Sequence, residues 1–190
     1  MEKTFKMAIK KIVVIGPEST GKSFLCKQLA DHFKTLWVPE FAREYLLTNG
    51  KDYTFEELSV IAKGQIEKED YMVHGQWSMV HGEASYNSSP LFIDTDLYVI
   101  KVWSEFVFNK CDNRILTGIA TRKYDLYLLC NTDLPWERDE LREYPDLATR
   151  EKLFHHYKDA MINQKVPWTE VKGGYEERLA IAIKAVENIL

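Results

Sequence analysis

Apolar residues recur along this chain in two rhythms. Short continuous runs alternate with longer stretches in which apolar positions return every three or four residues. Lys11-Ile-Val-Val-Ile15 is β-branched and unbroken, the pattern of a strand covered on both faces. A helical pattern follows from Lys22 to about Lys34, then a short strand, Leu36-Trp-Val38, closed by Pro39. Thr54-Phe-Glu-Glu57 reads as a capping box opening a long helix that reaches the late 70s. Leu91-Phe-Ile93 predicts a third strand, ending in Asp94-Thr-Asp96, and a helix spans about Tyr98 to Phe108. Leu126 to Cys130 is a fourth buried strand, Asp146 to Gln164 a helix, Val166 to Val171 the last strand, and Tyr175 to Leu190 the closing helix. Strands that alternate with helices imply βαβ units and a mostly parallel sheet. The expected architecture is α/β: a five-stranded parallel sheet with helices on both faces, forming one domain over residues 1–190. In such a sheet, ligands sit beyond the carboxyl ends of the strands, where strand order reverses.

Composition narrows the classes. The chain has 190 residues, 45% of them hydrophobic, enough for a full core. Its net charge of −4 gives no electrostatic basis for binding nucleic acid or an anionic membrane. No stretch approaches the roughly 20 apolar residues of a membrane span, and the basic N-terminus lacks the apolar run of a signal peptide. A cytoplasmic protein is expected. Cys26, Cys111 and Cys130 form no CxxC pair and are expected to stay reduced. The adjacent His155 and His156 would point apart on a helix, so no zinc site is expected.

Chemistry concentrates after the first strand. Gly16-Pro-Glu-Ser-Thr-Gly21-Lys22-Ser23 matches G-x-x-x-x-G-K-[ST] and lies between a buried strand and a helix, where a phosphate loop must lie. Gly16 and Gly21 allow backbone angles that side chains forbid. The loop, with Glu18, Ser19 and Thr20 at its crest and Phe24 just beyond, can wrap its N–H groups around phosphates at a helix N-terminus. Lys22 should reach the β- and γ-phosphates, and the Ser23 hydroxyl should ligate Mg²⁺. A phosphate loop alone does not name a reaction. GTPase switches follow it with Asp-x-x-Gly and Asn-Lys-x-Asp; here Asp94-Thr-Asp-Leu97 lacks the Gly, and Asn131-Thr-Asp-Leu134 lacks both the Lys and the final Asp. An ATPase or a kinase remains.

Several residues follow the strands toward that loop. Asp94, at the end of the third strand, is placed to hold Mg²⁺, and Asp96, two residues on, to share its side of the chain and meet substrate, or else to cap the next helix. Glu40, after the second strand, is placed to accept a proton from a substrate hydroxyl, and Arg43 to pair with Glu40 or with substrate. After the fourth strand, Arg138 and Arg142 are four apart; one helical turn would set both on a common face of a lid closing over the phosphates. Of the tryptophans, Trp37, Trp77 and Trp168 are expected to pack, while Trp103 and Trp136 are candidates to stack on a flat substrate ring.

Taken in order, Gly-Pro-Glu-Ser-Thr-Gly-Lys-Ser, Val38-Pro-Glu-Phe-Ala-Arg-Glu44, Asp94-Thr-Asp-Leu, Lys101-Val-Trp-Ser-Glu105, Leu134-Pro-Trp-x-x-Asp-x-Leu-Arg142 and Gly173-Gly-Tyr-Glu-Glu-Arg178 resemble the ribosylnicotinamide kinase domain of the NadR family over about residues 11–183. The resemblance implies a kinase with a short lid. It would take ATP and nicotinamide riboside to ADP and nicotinamide mononucleotide with Mg²⁺, and Gly174 and Arg178 would lie near the adenine. NadR proteins carry an adenylyltransferase domain with a His-x-Gly-His type motif ahead of the kinase. No such motif occurs in these residues, so the chain is not expected to make NAD by itself or to repress at DNA. The family lid usually reads Asp-Gly-Leu-Arg; here Glu140 stands at the Gly position. Left open are a kinase for another nucleoside or small alcohol, a regulatory ATPase that binds a protein partner, ATP against GTP, whether Glu40 or Asp94 is the base, which aromatic stacks on substrate, and the oligomeric state.

Overall fold

The computed structural model describes residues 9–76 and 89–190. Five strands, β1 (Lys10–Ile15), β2 (Trp37–Val38), β3 (Pro90–Asp94), β4 (Leu126–Cys130) and β5 (Trp168–Val171), form one sheet of order β2-β3-β1-β4-β5. Every pairing is parallel. The α-helices are α1 (Lys22–Phe33), α2 (Phe41–Asn49), α3 (Phe55–Tyr71), α4 (Leu97–Phe108), α5 (Asn113–Thr121), α6 (Leu147–Ile162) and α7 (Tyr175–Glu187). The α/β class and the five parallel strands agree with the sequence pattern.

β1 explains why its run is continuous. Ile12 and Val14 pack with Leu25, Leu29, Ala182 and Val186 from α1 and α7 on one face. Val13 and Ile15 pack with Val102, Leu153, Tyr157 and Met161 from α4 and α6 on the other. Each residue thus meets an apolar layer, and a polar residue anywhere in the run would be buried without a partner. A smaller cluster joins α2, α3, α4 and α5 through Leu46, Leu58, Ile61, Ile100 and Ile115, and supports one wall of the site.

Three boundaries differ from the sequence reading. α3 ends at Tyr71 and passes into a π-helical turn, Met72–Gln76, and the rest of the expected helix, with Trp77, lies outside the described residues. α5 was not anticipated: Gly118, Thr117 and Thr121 are weak helix formers, and Ile115 alone of the helix is buried. The stretch after β4 is an irregular strap over residues 135–145, with one turn at Glu140–Leu141 in place of a lid helix.

The capping box is present: the Glu57 N–H donates to Thr54 Oγ1 at 3.3 Å and the Thr54 N–H donates to Glu57 Oε2 at 2.7 Å. Thr54→Ala is therefore expected to lower unfolding free energy by about 1 kcal/mol, read by urea denaturation, without altering ligand binding. Cys26 and Cys130 are buried and Cys111 is half-buried, and all three are free. Among the described residues, no helix is long and apolar enough to cross a membrane.

Candidate functional site

The chain turns from one side of β1 to the other between β3 and β4, so the strand order reverses there and the carboxyl ends of β1 to β4 frame a cleft. A cavity of about 780 Å³ fills it, within the size range of small-molecule sites. The whole loop from Gly16 to Ser23 lines it, with Phe24, Glu40, Arg43, Trp103 and Arg142.

The loop takes its shape from left-handed backbone at Gly16 (φ +141°), Ser19 (φ +55°) and Gly21 (φ +74°). Gly16 also runs against β4: a Cβ there would stand 2.7 Å from the Cys130 carbonyl oxygen. Lys22 Nζ donates to the Pro17 carbonyl at 2.7 Å, and Thr20 Oγ1 donates to the same oxygen at 2.8 Å. Two buried arginines hold the loop from behind. Arg178, 2% exposed, donates to the carbonyls of Thr20, Asn131 and Gly173 and to the Asp133 carboxylate. Arg150 donates to the carbonyls of Ser19, Thr132 and Leu134. Arg178 is thus a clamp beneath the loop, bonded through all three of its nitrogens, and neither it nor Gly174, the N-cap of α7, lines the cavity.

Asp94 is 1% exposed, and its Oδ1 has no hydrogen-bond partner among the described residues. Burial, and after it the negative charge of Glu40, push its carboxyl up to about 7, while Lys22 and the Ser23 hydroxyl pull the other way. It therefore lies directly behind three residues that do line the cavity. Glu40 is the N-cap of α2 yet makes no side-chain cap bond, which leaves its carboxylate facing the cavity.

Asp96 does not join them. Thr95 adopts φ +67°, which breaks the strand alternation, and Asp96 turns to cap α4. Its Oδ1 accepts from the Tyr98 N–H at 2.9 Å and its Oδ2 from the Tyr127 hydroxyl at 2.8 Å. Burial pushes this carboxyl too up to about 7, against those two bonds. It serves α4, and the expectation that it faces substrate is corrected.

The strap roofs the cavity. Arg43 makes a two-pronged contact with Asp139, at 3.0 and 2.9 Å, where the sequence offered Glu40 or substrate as its partner. Arg142 lines the cavity and its Nη1 donates to the Glu137 carbonyl; Arg138 is exposed and lies off the lining, so the two do not share a face. Trp103 is in the wall, with its ring edge-on to Tyr53 at 4.4 Å. Trp136 is instead a strap anchor, its Nε1 donating to Glu18 at 3.2 Å.

Sequence reasoning missed Arg150, Glu143, Tyr144 and Tyr175. Tyr175 and Phe24, each about half exposed, meet edge to face at 5.3 Å beside the loop. Glu143 lines the wall while remaining exposed, and desolvation followed by the charge of Glu18 raises its carboxyl. Only Tyr175, inside the resembling Gly-Gly-Tyr segment, carried a signal that would have found it.

Mg²⁺ needs oxygen donors and retains waters and phosphates in its shell. The unpartnered Asp94 oxygen beside the Ser23 hydroxyl fits that need. Among the described residues, no cluster of three His, Cys, Asp or Glu side chains is arranged for a metal.

The family model of an AAA domain matches residues 11–178. The chain is 22% identical over 187 residues to the trifunctional NAD biosynthesis/regulator protein NadR of Salmonella typhimurium, and equally to that of Escherichia coli. Each comparison covers 96% of this chain but 43% of the relative, so the chain spans less than half their length. Among solved structures it resembles a NadR protein in complex with NR (TM-score 0.74, 22% identity, 95% of this chain and 49% of the other). It also resembles the thymidylate kinase of Ehrlichia chaffeensis (TM-score 0.64, 11% identity, 96% and 100%). The likeness to NadR read from the motifs is borne out, and the fold is that of P-loop kinases.

Proposed function

This chain belongs to the AAA domain family, and from that premise we propose that it is a Mg²⁺- and ATP-dependent kinase that phosphorylates nicotinamide riboside to nicotinamide mononucleotide. The observation that carries the reading is the unpartnered Asp94 oxygen behind Lys22, Ser23 and Glu40. A loop that merely bound phosphate would have no use for a buried, unsatisfied carboxylate, since such a group costs stability. The choice of acceptor is supported by the motif set and by the NR complex of a similar protein.

In this reading the loop N–H groups and Lys22, released from Pro17, hold the triphosphate. Ser23 and Asp94 would hold Mg²⁺, which when bound neutralises phosphate charge. Glu40 takes the proton from the ribose 5′-hydroxyl, and that oxygen attacks the γ-phosphorus as its bond to the bridging oxygen breaks. Arg142, with Arg43, stabilises the transferring group, and Trp103 lies against the flat ring. Gly16, Thr20, Gly21 and Phe24 complete the nucleotide side.

The test is ADP release with Mg·ATP, with and without nicotinamide riboside. Riboside-stimulated turnover is expected, with Lys22→Ala losing roughly 10²–10³-fold in kcat. Intact ATP binding without stimulation would strike out this acceptor, and stimulation by another nucleoside or small alcohol would name the replacement.

A further inference from the structure

Glu18 stands at the third position of the phosphate loop, where a backbone cradle needs no carboxylate and a phosphate would be repelled by one. The side chain is turned away from the cradle. Its Oε1 accepts from the Tyr144 N–H at 2.7 Å and from Trp136 Nε1 at 3.2 Å, and its Oε2 accepts from the Glu143 N–H at 2.9 Å. One carboxylate thus gathers both ends of the strap, from position 136 to position 144. The next loop residue adds a fourth bond: Ser19 Oγ accepts from the Glu137 N–H at 2.9 Å. Glu137 is also the residue whose carbonyl receives Arg142.

We infer that Glu18 is a positioning residue: it fastens the strap to the phosphate loop, so that Arg142 takes its place over the cavity only when the loop holds its folded shape. Three charge-assisted bonds from one side chain are stronger than neutral ones and define direction as well as contact. Ser19 sets the near end, Glu18 both ends, and the Arg43–Asp139 contact ties the middle to α2. The roof and the floor of the site are therefore coupled through residues of the loop itself. A nucleotide that orders the loop would order the strap with it. The inference rests on nucleotide occupying this loop, and not on which alcohol accepts the phosphate.

The experiment compares the full chain with Glu18→Gln and Ser19→Ala, with and without ATP. Gln offers a single acceptor oxygen and presents an NH₂ to the remaining donors, so it loosens the strap at nearly constant size. Trypsin can cut the strap only after Arg138 and Arg142. Strap cleavage is expected to rise about tenfold in Glu18→Gln, since cleavage follows the population of the open form, and by a smaller factor in Ser19→Ala, with ATP slowing it most in wild type. Trp136 emission, identified by difference against Trp136→Phe, should shift to the red as its indole loses the carboxylate. With a riboside that is turned over, kcat should fall about 10- to 100-fold while KM for ATP changes by less than about threefold, as for a lost closing step. Strap cleavage and Trp136 emission unchanged in Glu18→Gln would overturn the inference, as would a Ser19→Ala strap no more open than wild type if the Gln variant does not fold. The proteolysis and emission arms need no acceptor. If they respond while no riboside is phosphorylated, the strap coupling stands and the acceptor assignment falls.

Discussion

Asp94→Asn is expected to make the ligand-free protein more stable while stopping phosphoryl transfer. Burial holds the Asp94 carboxyl near pKa 7 against an ordinary 3.8. Its neutral form is thus favoured in the folded state, and ionising it there costs free energy. That cost is absent below the unfolded value, grows between about pH 4 and 7, and stays constant above. By linkage, a rise from 3.8 to about 7 corresponds to about 4 kcal/mol at most, and the amide is expected to gain on the order of 2 kcal/mol at pH 8. Thermal unfolding across pH 4 to 8 should show the variant's advantage appearing as pH rises and levelling off past 7. ADP release should fall roughly 10²–10³-fold, because the oxygen that would meet Mg²⁺ has lost its charge. Equal stability of the two proteins at pH 8 would refute the account of a desolvated, unsatisfied carboxylate. Asp96→Asn supplies the contrast. That carboxyl also sits near pKa 7, but both its oxygens are bonded. The amide can keep the Tyr98 N–H bond through its oxygen and donate its NH₂ to the Tyr127 hydroxyl, but it gives up a charge-assisted bond, so this variant should gain less at pH 8 than Asp94→Asn.

Gly16→Ala carries the second large effect. The added Cβ would meet the Cys130 carbonyl oxygen at 2.7 Å and its Cβ at 3.3 Å, and the φ of +141° is one that alanine rarely adopts. Neither neighbour can yield, since Cys130 ends a central strand paired on both sides. Strain of this kind costs about 2–4 kcal/mol, and relief comes only by lifting the loop off β4. Calorimetric titration with a non-hydrolysable ATP analogue is expected to show affinity falling by at least about 100-fold, equivalent to about 2.7 kcal/mol. Gly50→Ala is the control: its φ of +96° is strained too, but nothing lies within 4 Å. It should lose some stability and leave binding unchanged. Wild-type affinity in Gly16→Ala would mean that the loop does not need its seat against β4.

The elements best read from sequence are those where one physical demand dominates. β1 is apolar throughout because both its faces are covered, and the glycines of the loop that follows mark backbone that no other residue takes easily. What escaped the reading depends on contacts between distant residues. Arg150 and Arg178 look like surface helix residues, yet both are buried, and their partners are carbonyls from segments far along the chain. Asp96 was placed by strand alternation, which Thr95 interrupts. The spacing of Arg138 and Arg142 implied a shared face only if the strap were helical. Instead the Asp139 carboxylate is drawn toward Arg43 and also accepts from the Leu141 N–H, and that local competition replaces a helical turn. Glu18 read as one more loop residue, and only the structure shows which way its carboxylate points.

The strand that carries the phosphate loop has consequences for how the protein is made. β1 is synthesised first, but its neighbours are β3 and β4, with Lys10 beside Pro90 and Ile12 beside Leu126. The clamp that seats the loop waits longer still, for Arg178. A nascent chain therefore displays its first apolar strand, open along both edges, until much later residues have left the ribosome. Pairings this distant in sequence form slowly, so β1 is the segment on which chaperones, or aggregation, would act before any nucleotide can bind.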